Sequence, residues 1–329
     1  MNVIKPLIFE NDKLFILDQR KLPFEEVYIE VKSSEHMAKL IKDMALRGAP
    51  LIAISACYSI LIDVLNNKEK EELLKSIEIL KYSRPTAINL FNALSEIEKI
   101  ILNSKNLKEE LYNFVIKLDQ EEKERCLRIS ENGLKIFKKE SVVLTYCNTG
   151  FLATTGIGTA LGVIYKAFEK GLIKEVIIPE TRPYLQGSRL TLYELEKLKI
   201  PYKLITDNSI AFLMSKGYID LVIVGADRVL SDGTLINKIG TLNIAILSKY
   251  FNIPFYTAFP ISTYDNNSKI EDVIIEERGK EEVIKINNNL ITLENAKVLN
   301  YAFDITPSNL ITGYITDEGV NYGGCKEVI

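Results

Sequence analysis

Ser141-Val142-Val143-Leu144-Thr145-Tyr146-Cys147-Asn148-Thr149-Gly150 is the stretch that decides the fold. A short apolar run that ends in polar and glycine residues ahead of a helical stretch reads as a strand buried on both faces, delivering its last residues to a loop. The pattern recurs. Glu175-Val176-Ile177-Ile178-Pro179, Tyr202-Lys203-Leu204-Ile205-Thr206, Ile219-Asp220-Leu221-Val222-Ile223-Val224 and Pro254-Phe255-Tyr256-Thr257-Ala258-Phe259 are further strand candidates, with helices expected over 153–170, 187–197, 208–216 and 238–250. Strand then helix, repeated, predicts an α/β protein with a Rossmann-like, doubly wound parallel sheet.

Upstream the signal differs. Pro6–Phe9, Lys13–Leu17 and Glu26–Val31 are rich in strand formers and are separated by Asn11-Asp12 and Leu22-Pro23, which predicts a short antiparallel sheet. From Ser34 to about Phe137 apolar residues recur three and four apart, as at Met37, Leu40, Ile41, Met44 and Ala45. The expected organisation is therefore a smaller N-terminal α+β domain over 1–130 and a Rossmann-like catalytic domain over 131–329. No Gly/Ser linker marks the boundary.

The chain has 329 residues, of which 47% are hydrophobic and 26% charged, as in an ordinary globular protein. With 41 basic and 44 acidic residues the net charge is −3, which gives no electrostatic drive toward nucleic acid or an anionic membrane. The longest apolar run, Ala49 to Leu65, is broken by Ser55, Ser59 and Asp63, so no membrane span is expected. Nothing at the start reads as an export signal.

His36 is the single histidine, and Cys57, Cys126, Cys147 and Cys325 are too scattered for a CxxC pair, so no metal site is expected. Proton chemistry must then fall to Asp, Glu, Cys, Lys or Tyr. Gly156-Ile157-Gly158 is followed by Gly162, which makes GxGxxxG rather than the dinucleotide fingerprint GxGxxG; close packing of helix on sheet is the better role for these glycines. No Gly-Lys-Ser/Thr phosphate loop is present either.

Ligands of open parallel sheets collect at the carboxyl ends of the strands. Those ends carry Cys147-Asn148-Thr149-Gly150, Glu180-Thr181-Arg182, Asp207-Asn208, Gly225-Ala226-Asp227-Arg228 and Pro260-Ile261. Cys147 ends a strand ahead of a helix, a place for a reactive thiol or for a buried structural one. Asp227 ends an apolar strand, where desolvation would suit a general acid or base, with Arg228 able to oppose that effect and helix capping as the plainer role. Arg47-Gly48-Ala49-Pro50 and Tyr82-Ser83-Arg84-Pro85-Thr86 each set an arginine ahead of a helix, an arrangement that suits phosphate, and Asn237-Lys238-Ile239-Gly240-Thr241 adds a third such start.

Together with Arg84–Phe91, Leu144–Gly150, Glu180–Pro183, Gln186–Thr191, Gly225–Arg228, Asn237–Thr241 and Phe303–Pro307, the Arg47–Pro50 motif gives the chain its family likeness. It resembles the 5-methylthioribose 1-phosphate isomerases, within the wider family that includes translation initiation factor 2B subunits, from about Leu22 to Val320. The resemblance implies a cytoplasmic homodimer of methionine salvage that needs no cofactor. It would convert a small phosphorylated sugar, 5-methylthioribose 1-phosphate, to 5-methylthioribulose 1-phosphate. Carried over motif by motif, the catalytic cysteine and aspartate fall on Cys147 and Asp227. The substrate contacts fall on Arg47, Gly48, Ala49, Arg84, Gln186, Asn237 and Lys238. Tyr146 stands where the family commonly has His, and Thr149 and Phe151 stand where it commonly has Ala. A 5-deoxyribose 1-phosphate isomerase is the alternative enzyme, and a non-catalytic subunit like those of initiation factor 2B the alternative role.

Overall fold

The computed structural model describes residues 4–84 and 88–322. Pro85, Thr86 and Ala87 of the second cationic loop, and Cys325, lie outside the described residues. The chain forms two compact units, Met1–Leu127 with Thr149–Gly158, and Arg128–Asn148 with Thr159–Ile329. Against an expected division at 130/131, the segment 149–158 thus returns to the first unit.

In the first unit β1 (Leu7–Glu10), β2 (Lys13–Leu17) and β3 (Tyr28–Val31) form an antiparallel meander in that order. Asn11 and Asp12 take φ of 53° and 58°, the positive values a tight hairpin requires. Five helices follow: α1 (Ser34–Lys42), α2 (Ala49–Leu65), α3 (Lys70–Ser83), α4 (Ile88–Asn103) and α5 (Leu107–Gly133), the last running across the boundary into the second unit. Ser33 caps α1 by accepting from the His36 amide at 3.2 Å. Helix α2 is buried on every side from Leu51 to Asp63, so it is the core helix around which the others pack. Among the described residues no helix is long and apolar enough to cross a membrane.

Burying α2 brings the Asp63 carboxylate to zero exposure, and the unit satisfies it with the Lys68 ammonium at 3.0 Å, the Ser76 hydroxyl at 3.1 Å and the Ser34 amide at 3.3 Å.

The loop 149–158 joins this unit through close backbone packing. A Cβ on Gly156 would come within 2.8 Å of the Cys126 Cβ and 3.1 Å of the Lys123 Cα on α5. Gly48, at φ 93°, abuts the Ala153 carbonyl, and the Leu152 carbonyl accepts from Gln19 Nε2 at 2.7 Å. Gly156 and Gly158 therefore fit the loop to α5 and to itself rather than a helix to the sheet. The helix expected from 153 begins only at Ala160, after a short 3-10 turn at Phe151–Ala153.

In the second unit β4 (Ser141–Leu144) leads to α6 (Ala160–Glu169), β5 (Ile173–Pro179), α7 (Leu192–Lys197), β6 (Tyr202–Ile205), α8 (Ile210–Ser215) and β7 (Leu221–Val224). Then come β8 (Arg228–Leu230), β9 (Leu235–Lys238), α9 (Thr241–Tyr250), β10 (Phe255–Ala258) and β11 (Tyr264–Asp265). A one-turn helix α10 (Glu281–Ile284), the hairpin β12 (Lys285–Ile286) and β13 (Asn289–Leu290), and β14 (Phe303–Thr306), β15 (Gly313–Ile315) and β16 (Val320–Asn321) complete it. The main sheet has the order β16-β15-β10-β7-β4-β5-β6, parallel except at the β16 edge. All five expected strands lie in it. A second sheet, β11-β8-β9-β14, had no counterpart in the sequence reading. It also shortens a helix: the one expected from 238 starts at Thr241, because Asn237 and Lys238 belong to β9 and Gly240 turns the chain at φ 103°.

Breaking a buried ion pair by removing one partner costs about 3–5 kcal/mol, and the partial exposure of Lys68 puts Lys68→Met near the lower figure. Urea denaturation of the full chain measures it; a loss below about 1 kcal/mol would show that Ser76 and the Ser34 amide suffice for Asp63.

Candidate active site

The main sheet reverses direction of growth at β4, which has β5 on one side and β7 on the other. Such a switch point opens a crevice at the carboxyl ends of the two diverging strands. Cys147 follows β4 and Asp227 follows β7.

Cys147 adopts φ 63°, a left-handed conformation that costs a non-glycine residue about 1–3 kcal/mol. Its amide donates to Thr181 Oγ1 at 3.1 Å, and its carbonyl accepts from the Thr191 hydroxyl at 2.5 Å. It is partly exposed, while Cys57 and Cys126 are buried. The next residue, Asn148, is buried and donates through Nδ2 to Glu194 Oε1 at 2.7 Å; Tyr165 donates to the other Glu194 oxygen at 2.6 Å.

Asp227 is exposed, so the desolvated strand mouth expected for it is not what the fold provides. Its amide is tied to the Ile236 carbonyl at 3.1 Å, which places it at the root of the β8–β9 hairpin. Arg228 is turned to Asp265, 3.6 Å away. The charge of Asp227 is felt by Arg278. Burial works against the Arg278 charge, but Glu276 at 2.9 Å, Glu282 at 3.6 Å and the field of Asp227 outweigh it and raise its pKa. No motif in the sequence reading pointed to Arg278.

Asn237 and Lys238 are nearly fully buried on β9. Asn237 Nδ2 donates to Thr241 Oγ1 at 3.0 Å, and Lys238 Nζ donates to the Ala302 carbonyl at 2.8 Å while lying 4.7 Å from the Phe303 ring centre. Across the ladder from Asn237 stands Asp304, which accepts from the Gly240 amide at 2.6 Å and the Leu242 amide at 3.1 Å and so caps α9. Burial pushes Asp304 up to about 6, against the pull of those amides and of Lys238. Tyr146 donates to the Ile239 carbonyl at 2.9 Å, over a glycine, Gly240, that leaves no room for a Cβ beneath its hydroxyl. Burial, and then the charges of Asp207, Cys147, Asp304 and Glu180, drive the Tyr146 phenol far above its ordinary value, so it stays a neutral donor.

Gln186 is buried at the entry to a single π-turn, Gly187–Thr191, and its Oε1 has no hydrogen-bond partner. A buried acceptor left unpaired costs about 1–3 kcal/mol, which a ligand hydroxyl would recover. Gly187 is what lets the turn approach β5, since a Cβ there would collide with the Pro179 carbonyl.

In the first unit Arg47, Gly48 and Ala49 form the N-terminal approach to α2, where Gly48 supplies no side-chain cap and Pro50 stands in the first turn. Arg47 is nearly buried. Arg84 closes α3 rather than heading a helix, and its Nη1 reaches Met44 Sδ at 3.4 Å, which brings it to the turn that leads into Arg47. Phe151 is buried and Thr149 partly so.

The chain is 49% identical over 318 residues to the methylthioribose-1-phosphate isomerase of Aquifex aeolicus, a match covering 96% of this chain and 68% of that protein. The solved 5-methylthioribose 1-phosphate isomerase of Pyrococcus horikoshii OT3 superposes with a TM-score of 0.90 at 37% identity, covering 98% of this chain and 93% of that one. The delta subunit of translation initiation factor eIF-2B from A. fulgidus superposes at 0.88 with 40% identity, covering 97% and 96%. The family model of the Initiation factor 2 subunit family matches residues 45–323. With that match and these identities, the chain belongs to the Initiation factor 2 subunit family, among relatives that carry the name methylthioribose-1-phosphate isomerase.

Proposed function

We propose that this protein isomerises 5-methylthioribose 1-phosphate to 5-methylthioribulose 1-phosphate, an aldose-to-ketose step of methionine salvage. The observation that supports this chemistry is that Cys147 and Asp227 follow β4 and β7, the two strands that diverge at the switch point. The phosphate ester on C1 blocks spontaneous ring opening, so the enzyme must open the furanose before it can move hydrogen. The C1–O4 bond breaks as O4 takes a proton, a hydrogen passes from C2 to C1, and O2 gives up its proton to become the ketone. C1 is reduced, C2 is oxidised, and no outside oxidant is needed. Asp227 gives the proton to O4 and takes the one from O2. Cys147 lies beside C1 and C2 and assists the hydrogen transfer, whether as a hydride shift or through an enolate.

Arg47, Gly48, Ala49 and Arg84 supply guanidinium and amide donors for the phosphate. Gln186, with its open acceptor, binds a sugar hydroxyl, and Asn237 and Lys238 bind through their amide and ammonium groups. Residues 131–329 are read as the catalytic domain. The substrate side of the reaction uses no cofactor or metal. A homodimer belongs to the proposal as part of what the family resemblance implies. Free thiols suit a cytoplasmic location.

Comparing kcat/KM for 5-methylthioribose 1-phosphate and 5-deoxyribose 1-phosphate tests the substrate; a preference for the deoxy sugar would overturn the methylthio reading. The likeness to the eIF-2B subunit favours a second reading, a regulatory subunit, which would bind sugar phosphate without turning it over. Asp227→Asn should lower kcat at least ~100-fold, the low end for general acid–base catalysis, and Cys147→Ser should lower kcat more than it raises KM. Near wild-type kcat in either variant removes that residue from the chemistry. Activity should survive exhaustive dialysis against EDTA; loss on chelation and return with a divalent cation would contradict the cofactor-free account. As pH falls through about 6, Asp304 takes up a proton and loses the charge that holds the α9 amides and faces Lys238 and Tyr146. The pH profile of kcat/KM should therefore rise through that region, and Asp304→Asn should flatten this limb; an unchanged limb would assign it elsewhere.

A further inference from the structure

Cys147 is held by groups that the proposed chemistry does not use, and they are connected. The Asp207 carboxylate, just past β6, accepts from the Thr181 amide at 2.8 Å and the Arg182 amide at 2.7 Å, fixing a turn past β5 in which Thr181 sits at φ 64°. The Thr181 hydroxyl spends its one proton on the Pro179 carbonyl at 3.2 Å, which leaves its lone pairs to receive the Cys147 amide at 3.1 Å. From the other side Thr191 gives its proton to the Cys147 carbonyl at 2.5 Å and accepts from Asn148 Nδ2 at 3.4 Å. The second Asn148 proton goes to Glu194. Thr181, Thr191 and Glu194 have no solvent exposure. Both backbone polar groups of Cys147 are therefore committed to threonine hydroxyls, each oriented by a further partner, and the residue between them is in a left-handed conformation that is uncommon for a cysteine.

We propose that Thr181 and Thr191 are positioning residues for Cys147, and that Asp207 acts with them through Thr181. The hydrogen bonds run sideways across the ends of β6, β5 and β4 and hold the cysteine so that its thiol is presented to the substrate. The proposal rests on the reading of Cys147 as catalytic, and its test is separable from that reading because it follows the thiol itself.

Valine replaces threonine at equal size and without the hydroxyl. In Thr191→Val and Thr181→Val, kcat should fall at least ~10-fold while KM moves less than ~3-fold, the split expected when presentation rather than binding is lost. The rate at which iodoacetamide alkylates Cys147 in the substrate-free protein, read by mass spectrometry on the peptide that carries it, should fall at least ~3-fold, because a released backbone leaves the presenting conformation. Thr191→Ser keeps the hydroxyl and should restore both. Asp207 is only half-buried, so Asp207→Asn provides a variant with little burden on folding, and it should shift both readouts in the same direction. If the valine variants do not fold, Asp207→Asn and Thr191→Ser decide the matter. Unchanged alkylation and kcat, with only a lowered Tm, would reduce the threonines to structural residues and overturn the proposal, as would faster alkylation. Wild-type kcat in Cys147→Ser would instead sink the catalytic reading and leave the alkylation rates to judge the positioning.

Discussion

The position of β4 between β5 and β7 is the constraint on which the rest of the molecule depends. A first strand placed at an edge would have sent its loop over one neighbour. Placed inside the sheet, with growth first to one side and then to the other, it ends in a crevice where the chain has to leave the sheet abruptly. Cys147 makes that departure in a left-handed conformation, Asn148 is buried at once, and the following ten residues become part of the first unit before Thr159 returns. The place of the thiol, at the carboxyl end of β4 where the sheet changes direction of growth, follows from that strand order.

Much of this was legible in the sequence, and the reason differs from place to place. The parallel strands announce themselves because burial on both faces demands an unbroken apolar run, as at Leu221–Val224. Gly187, Gly240 and Gly48 lie in recognisable motifs because each admits a backbone or a tyrosine where a side chain would collide. The motif residues could be named from family likeness before any geometry was known.

What was not legible was built at long range. The Thr181 and Thr191 contacts to Cys147 join residues far apart in the chain, and a threonine at a strand end has no local signal that marks its partner. Arg278 was invisible for a related reason: Glu276 and Glu282 beside it in the chain read as ordinary local ion pairs, and only the fold brings Phe303 and the charge of Asp227 to it. The second sheet has strands of two to four residues, too short to show an alternating pattern. The loop 149–158 misled in a simpler way. Its glycines fit both a helix start and a close-packed turn, and only the neighbouring Cys126 and Lys123 decide between them.

The central claim is that the switch point beside Cys147 is where the sugar phosphate binds. Substrate protection tests it most directly: Cys147 in the wild-type protein is alkylated with iodoacetamide at rising concentrations of 5-methylthioribose 1-phosphate, and modification of its peptide is followed by mass spectrometry. The account predicts that the sugar phosphate shields Cys147 over the concentration range of its KM, and that inorganic phosphate at the same concentrations shields it far less. Alkylation that proceeds at an unchanged rate in saturating sugar phosphate would contradict it.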